Sequence, residues 1–444
     1  MDHPAQATAA VEETVPAVAA RRSLLAVALW LAALGGLWAA GLALADRGAV
    51  ITYGSAPPFI GYLHARASVG TALAVVVACL VVVHGPRLAR TARWGRVLLG
   101  GWAASTAFAA LLAATDGLGA IAAPLTDEND YLAVVPLVTQ DPGEFLRTFA
   151  DRALTYPVHV RGHPPGMALL LGGLDRLGLG GEWPMAVLVL VVGTSSVVAV
   201  GLAVRALAGR HGEETVRRAL PAVVLAPAAL WLATSADAFF AGVLAWGVAL
   251  LAVASTREGR SWPWAVAAGL VLGLCPFLSY GLLPMGALAL VVGIVTGRWA
   301  PTVVAGVVVL ASAAAWGAAG FWLPDGIAVT HVASTLGRAA DRPYVYFLVA
   351  DLVLLGVLVG PAGVGGLVHL RRLPRAVQLL VVVALGAALV GALSGVERGE
   401  VERIWLPLAC WVLPVAATLA DRRGWLVAQA SATIAVQVAL VSPW

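Results

Sequence analysis

The chain has 444 residues, 60% of them hydrophobic and only 12% charged, with a mean hydropathy of +0.89. Soluble domains carry roughly 25% charged residues, so a soluble globular protein is excluded. Apolar runs recur to the C-terminus, which also excludes a soluble domain on a single anchor. All 28 basic residues are arginine and the net charge is +4.

Residues 1–22 are rich in Ala, Val and Glu without a clear period and are expected to form a disordered cytoplasmic tail. Residues 23–444 form a single transmembrane domain. Its first apolar run, from about Ser23 to Ala45, follows Arg21-Arg22 and ends in Ala43-Leu44-Ala45, a sequence that resembles a signal-peptidase site. The run exceeds the usual h-region length, so an uncleaved first helix is expected. Twelve further runs follow: 67–84, 97–115, 185–206, 218–234, 237–254, 262–280, 281–296, 300–323, 344–361, 376–394, 404–420 and 425–442. The fold expected is an all-α polytopic membrane protein with about thirteen transmembrane helices. Cys79, Cys275 and Cys410 lie in these runs without metal-ligand spacing and are expected to pack in the core.

Arginine placement orients the spans. With the N-terminus in the cytoplasm, 18 of the 28 arginines and 7 of the 24 acids fall on the cytoplasmic side, leaving +11 inside and −7 outside. Topology accounts for the basic balance, so no nucleic-acid partner is implied. A lysine-free chain rich in Ala, Gly and Val suggests a GC-rich bacterial genome, hence the bacterial inner (plasma) membrane.

This topology puts a long polar loop, 116–184, outside. Its core, Thr126–Gly166, opens with Asp127, Glu128, Asp130 and Tyr131 and closes with His159, Arg161, His163, Pro164, Pro165 and Gly166. Grouped carboxylates suit a general base, or Asp127 and Glu128 could hold Mg2+ or Mn2+ if a divalent cation is used; no cofactor is certain. An arginine between imidazoles suits a phosphate. In an extended chain, His159, Arg161 and His163 would project to one side. Pro142–Leu154 and Pro164–Leu177 are expected as two interfacial helices framing a cavity.

Further candidates follow. Asp237 lies at an outer turn, where it shapes the site or caps a helix. Tyr280 lines the cavity or anchors the interface. His331, Arg338, Asp341 and Arg342 share one outer loop, and Asp351 lies within a span. Glu397 to Pro407 opens the twelfth span, with Arg403 placed to meet a lipid phosphate.

Taken together, Asp127-Glu128 with Tyr131, the interfacial helices, His163-Pro164-Pro165 before a short helix, and Glu402-Arg403-Ile404-Trp405-Leu406-Pro407 resemble the GT-C superfamily of integral-membrane glycosyltransferases. The plan covers nearly the whole chain and the motifs about a tenth of it. The resemblance implies a polyprenyl-phosphate sugar donor, an outer-face reaction that inverts the anomeric carbon, and a cell-envelope glycan, glycolipid or protein as acceptor. Mannose or arabinose is the sugar suggested by the bacterial type. It further implies Asp127 as base, Glu128 orienting the acceptor, and His163, Arg161 and Arg403 facing the donor phosphate. Two features depart from the family plan. The acidic loop follows the third span instead of the first, so 23–84 reads as an added hairpin. Asp130 is a third acid, leaving the base open among Asp127, Glu128 and Asp130. The rival functions are a transporter or lipid flippase, which would need polar groups along several spans, and a non-catalytic envelope-assembly scaffold.

Overall fold

The computed structural model describes residues 3–51, 54–336, 338–420 and 422–443. Asp2 and Asp421, counted in the charge balance, lie outside these residues, as do the side chains of Glu12, Glu13 and Arg338. The chain opens with α1 (His3–Ala45), α2 (Val69–Thr91) and α3 (Trp94–Ala113). The polar loop then holds α4 (Val135–Gln140), α5 (Pro142–Arg147), α6 (Phe149–Arg152), α7 (Val158–Arg161) and α8 (Gly166–Arg176). Next come α9 (Glu182–Thr194), α10 (Ser196–Val224), α11 (Ala236–Thr256), α12 (Trp262–Leu278), α13 (Ala287–Thr296) and α14 (Trp299–Ala318). The remainder is α15 (Leu323–Ser334), α16 (Tyr344–Leu367), α17 (Arg375–Ser394), α18 (Val401–Ile404), α19 (Leu406–Val412) and α20 (Arg422–Ala439). The one sheet among the described residues pairs β1 (Tyr62–Leu63) with β2 (Leu440–Val441), antiparallel.

The molecule is an all-α polytopic membrane protein. Eight stretches among the described residues are long and apolar enough to cross a bilayer, and three apolar helical stretches, Trp262–Leu278, Tyr280–Thr296 and Leu406–Thr418, are shorter. Thirteen spans are therefore not reproduced by length and composition, for two reasons. Glu182–Val224 counts once, although α10 breaks at Gly209, whose φ of 56° and ψ of −133° suit glycine and divide the helix into two arms. α20 carries Arg422, Gln429, Thr433 and Gln437, which lower its hydropathy. The expected tail also differs: α1 is helical from His3, in keeping with the high helix propensity of its alanines.

Burial explains the layering. α11 is enclosed by α9, α10, α12 and α19 and presents almost no free face. α1 and α14 leave most of their apolar side chains exposed, which suits lipid. α1 is held to α16 by a few polar ties: Trp30 Nε1 donates to the Val353 carbonyl at 3.0 Å and Ser23 Oγ to the Gly365 carbonyl at 2.8 Å. Helix breaks inside the bundle free backbone groups that must be satisfied without water, and α20 supplies them. At the Gly360 kink of α16, Gln429 accepts from the Ala362 amide and donates to the Val359 carbonyl, both at 2.9 Å. One and two turns on, Thr433 donates to Leu225 and Gln437 to Leu112.

Contacts define the two ends of the bundle. At one, Arg217 donates to the Ala89 and Ala92 carbonyls, Arg218 to Ala417 and Arg298 to Arg257. At the other lies the polar loop, where Arg66 pairs with Asp116 and donates to the Gln437 and Leu440 carbonyls. The expected interfacial helix Pro142–Leu154 is three pieces, α5, α6 and a 3-10 turn at Ala153–Thr155, with breaks after Arg147 and Arg152. α8 is eleven residues long and packs on α4 and α12.

Candidate active site

The two ends of the Thr126–Gly166 loop meet. The His159 amide donates to the Asn129 carbonyl at 3.0 Å, and His159 Nδ1 lies 3.3 Å from Asp130 Oδ2. The three acids do not act as one cluster. Asp127 Oδ1 accepts from the Asn129 amide (2.8 Å) and side chain (2.9 Å), a local turn that keeps Asp127 and Glu128 exposed. Asp130 caps the next 3-10 turn through the Tyr131 amide at 2.6 Å and is 6% exposed.

The basic end also differs from the expected extended strand. α7 is a helical turn that holds His159 and Arg161, and His163 follows it beyond Gly162. His163 Nδ1 sits 2.8 Å from the His159 carbonyl. A carbonyl only accepts, so the His163 proton is on Nδ1 and Nε2 carries the lone pair. The ring lies between Tyr131 and Phe240, with centroids 6.0 and 5.8 Å away. Burial holds its pKa below the ordinary imidazole value, although Asp237 pulls the other way.

Arg403, 6% exposed, joins the loop to the rest of the site. Nη1 is 2.9 Å from Asp237 Oδ2, and Nη2 is 2.9 Å from Glu400 Oε2 and 3.2 Å from His159 Nε2. A guanidinium only donates, so His159 accepts at Nε2 and donates from Nδ1 toward Asp130. The outcome is one chain of charge-assisted contacts: Asp130, His159, Arg403, then Asp237 and Glu400. Asp237 also accepts from Ser235 Oγ at 2.8 Å, at the N-terminus of α11. Carboxylates engage both terminal nitrogens of Arg403, the residue expected to meet a lipid phosphate.

Three acids just before α19 differ in environment. Glu400 has a φ of 67°, the one positive φ outside glycine among the described residues, and it bridges Arg403 and Arg342. Burial opposes its charge, but Arg403 and then Arg342 outweigh burial and hold its pKa below the usual range. Glu402, fully buried, accepts from the Ile60 amide at 3.3 Å, and its Oε2 has no partner among the described residues; burial pushes its pKa up to about 7. Burial also raises Glu397, which accepts from Trp405 Nε1 at 2.8 Å. Asp351 is buried in α16 and accepts from the Gly399 amide at 3.1 Å.

Two cavities adjoin this cluster. One, about 490 Å³, is lined by Asp127, Arg66, Asp116, Trp231, Thr234 and Gln437. The other, about 320 Å³, has Tyr280, His331, Glu397 and Trp405 with an apolar wall including Val390 and Leu408. Thr234, which lines the first, is three residues from Asp237, and Trp405, which lines the second, is two from Arg403. The two interfacial helices were expected to frame one cavity. Instead Asp127 lines the first, while His163 is enclosed by Tyr131 and Phe240 and lines neither. Thr330 Oγ1 donates to the Arg161 carbonyl at 3.1 Å, setting α7 beside the second cavity, which Thr330 also lines.

No protein-family model, curated protein or solved structure matches the chain. The site therefore stands on its geometry. The acids do not form a ready divalent site: among the described residues no group of three His, Cys, Asp or Glu side chains converges. Sequence reasoning singled out the Glu397–Pro407 stretch but gave Glu400 and Glu402 no site role of their own, and it missed the 56–61 segment. The repeated acids around Gly399 were the available signal for the first two. Nothing in residues 56–61 announced a buried segment reaching Glu402.

Proposed function

We propose that the chain is a membrane glycosyltransferase that moves a sugar from a polyprenyl-phosphate donor to a cell-envelope glycan, glycolipid or protein on the outer face. The observation that carries this reading is the Asp130–His159–Arg403–Asp237/Glu400 chain, flanked by a polar cavity bearing an exposed carboxylate and by an amphipathic cavity. The amphipathic cavity suits the start of an isoprenoid chain along Val390 and Leu408, with Arg161 and His331 near the phosphate. The polar cavity suits the acceptor.

In this reading Asp127 removes the acceptor hydroxyl proton as the oxygen attacks the anomeric carbon. The bond from that carbon to the phosphate oxygen breaks, polyprenyl phosphate leaves, and configuration inverts. Asp130 holds the His159 tautomer, and Arg403 fixes α11 and the 397–403 segment around the reacting atoms. Mg2+ or Mn2+ is not assigned, and no step is routed through it.

The test is reconstituted protein with radiolabelled polyprenyl-phosphate sugars and membrane extract. Transfer is expected for the parent and abolished in Asp127→Asn, which should insert and melt like the parent. Full activity in that variant would remove Asp127 as base. Absence of transfer from every donor, with label crossing the bilayer instead, would favour the flippase, whose one structural support is Asp351 buried within α16.

A further inference from the structure

A cavity of about 930 Å³ lies at the end of the bundle opposite the loop. Separate segments build it: the second arm of α10 gives His211, Glu214 and Arg218, the connection into α17 gives Arg372 and Arg375, and α13 and α17 give an apolar wall including Ile294, Val295 and Leu379. Three guanidinium groups thus face one carboxylate. Arg218 is fixed at the edge, donating Nε to the Ala417 carbonyl at 2.9 Å, with Glu214 3.8 Å away. Arg372 and Arg375 are exposed. Leu379 lies one helical turn deeper than Arg375, so charge occupies the rim and hydrocarbon the interior. The first turn of α17, a twenty-residue helix, adds its positive dipole end.

Cytoplasmic arginines need only be numerous to orient spans. That requirement does not bring them together around a ligand-sized cavity with an apolar wall. A cationic rim over a hydrocarbon wall is the chemistry of a phosphate ester with a lipid tail. We propose that this cavity is a second, cytoplasmic-end binding site for a lipid-borne phosphate. It is separate from the site at the loop end and does not rest on the glycosyltransferase reading.

The test is titration of purified full-length protein in detergent, read by native mass spectrometry and thermal shift. Three probes are used: undecaprenyl phosphate, phosphatidylglycerol and inorganic phosphate. One or both lipids should bind, their ranking identifying the source, while inorganic phosphate should not bind at the same concentration. Arg372→Gln/Arg375→Gln should weaken lipid binding roughly tenfold or more. Leu379→Trp should block it by filling the wall without changing charge. Both arginines are exposed, so the double variant should fold. Inorganic phosphate binding as tightly as the lipids would overturn the proposal, as would lipid binding unchanged in both variants.

Discussion

Arg403 is a buried cation between two carboxylates, and its removal leaves Asp237 without a cation while Glu400 keeps only Arg342. Arg403→Met is expected to cost roughly 3–5 kcal/mol of stability, and adding Asp237→Leu should recover part of that loss. Denaturation in detergent measures both, and a double variant no more stable than the single would contradict the pairing argument. Glu402 carries a pH signature. Its pKa is about 7 in the fold, against roughly 4.3 unfolded. Between those values the folded chain keeps a proton that the unfolded chain loses. The contribution is complete below about pH 4.3 and is lost as pH rises through about 7, to a total of about 4 kcal/mol. Glu402→Gln has no proton to lose, so its advantage in Tm over the parent should widen from pH 5 to pH 8; a constant gap would contradict this. At this scale the sequence showed which residues were polar and unexpected, including Asp130, His159, Asp237 and Arg403. It did not show who pairs with whom, because His159 and Arg403 are 244 positions apart.

Short elements position the site. His163-Pro164-Pro165-Gly166 was legible as a helix opening, and its glycine has a packing reason: a Cβ on Gly166 would lie 2.2 Å from the Phe277 carbonyl oxygen. Gly166→Val should push α8 from the end of α12 and displace the α7 turn. Sugar transfer should fall by roughly a hundredfold, as expected for misplacement of about an ångström, while the protein still inserts; activity within twofold of the parent would show that α8 can shift without consequence. The alternation of His159, Arg161 and His163 misled because period two suggests a strand, whereas four residues bounded by Pro157 and Gly162 close into a helical turn. The first hairpin looked like an addition, yet its loop packs residues 56–61 into the protein and reaches Glu402. Hydropathy finds spans, but it cannot find a short loop segment whose burial depends on a distant partner.

The charge of the chain is asymmetric, with 18 of the 28 arginines assigned to one side and the acid-bearing loop to the other. The membrane class was readable from composition because lipid demands it. The number of spans was not, because kinked α10 and polar α20 break the link between apolar length and crossing. If the charge asymmetry orients the chain, a cysteine at Thr155 should react with an impermeant maleimide added to intact cells, and one at Arg210 only after lysis. The reverse pattern would invert the topology and place the loop in the cytoplasm.

The β1–β2 pairing has a consequence for biogenesis. Arg66 donates to Gln437, 371 positions later in the chain, and Tyr62 and Leu63 pair with Val441 and Leu440. A ribosome makes the front loop long before these partners exist. β1 must wait while the ten intervening apolar stretches are made, and it pairs only when the residues after α20 arrive. The β1–β2 pairing therefore closes only after α20 has been made, and a chain halted before α20 would leave β1 unpaired.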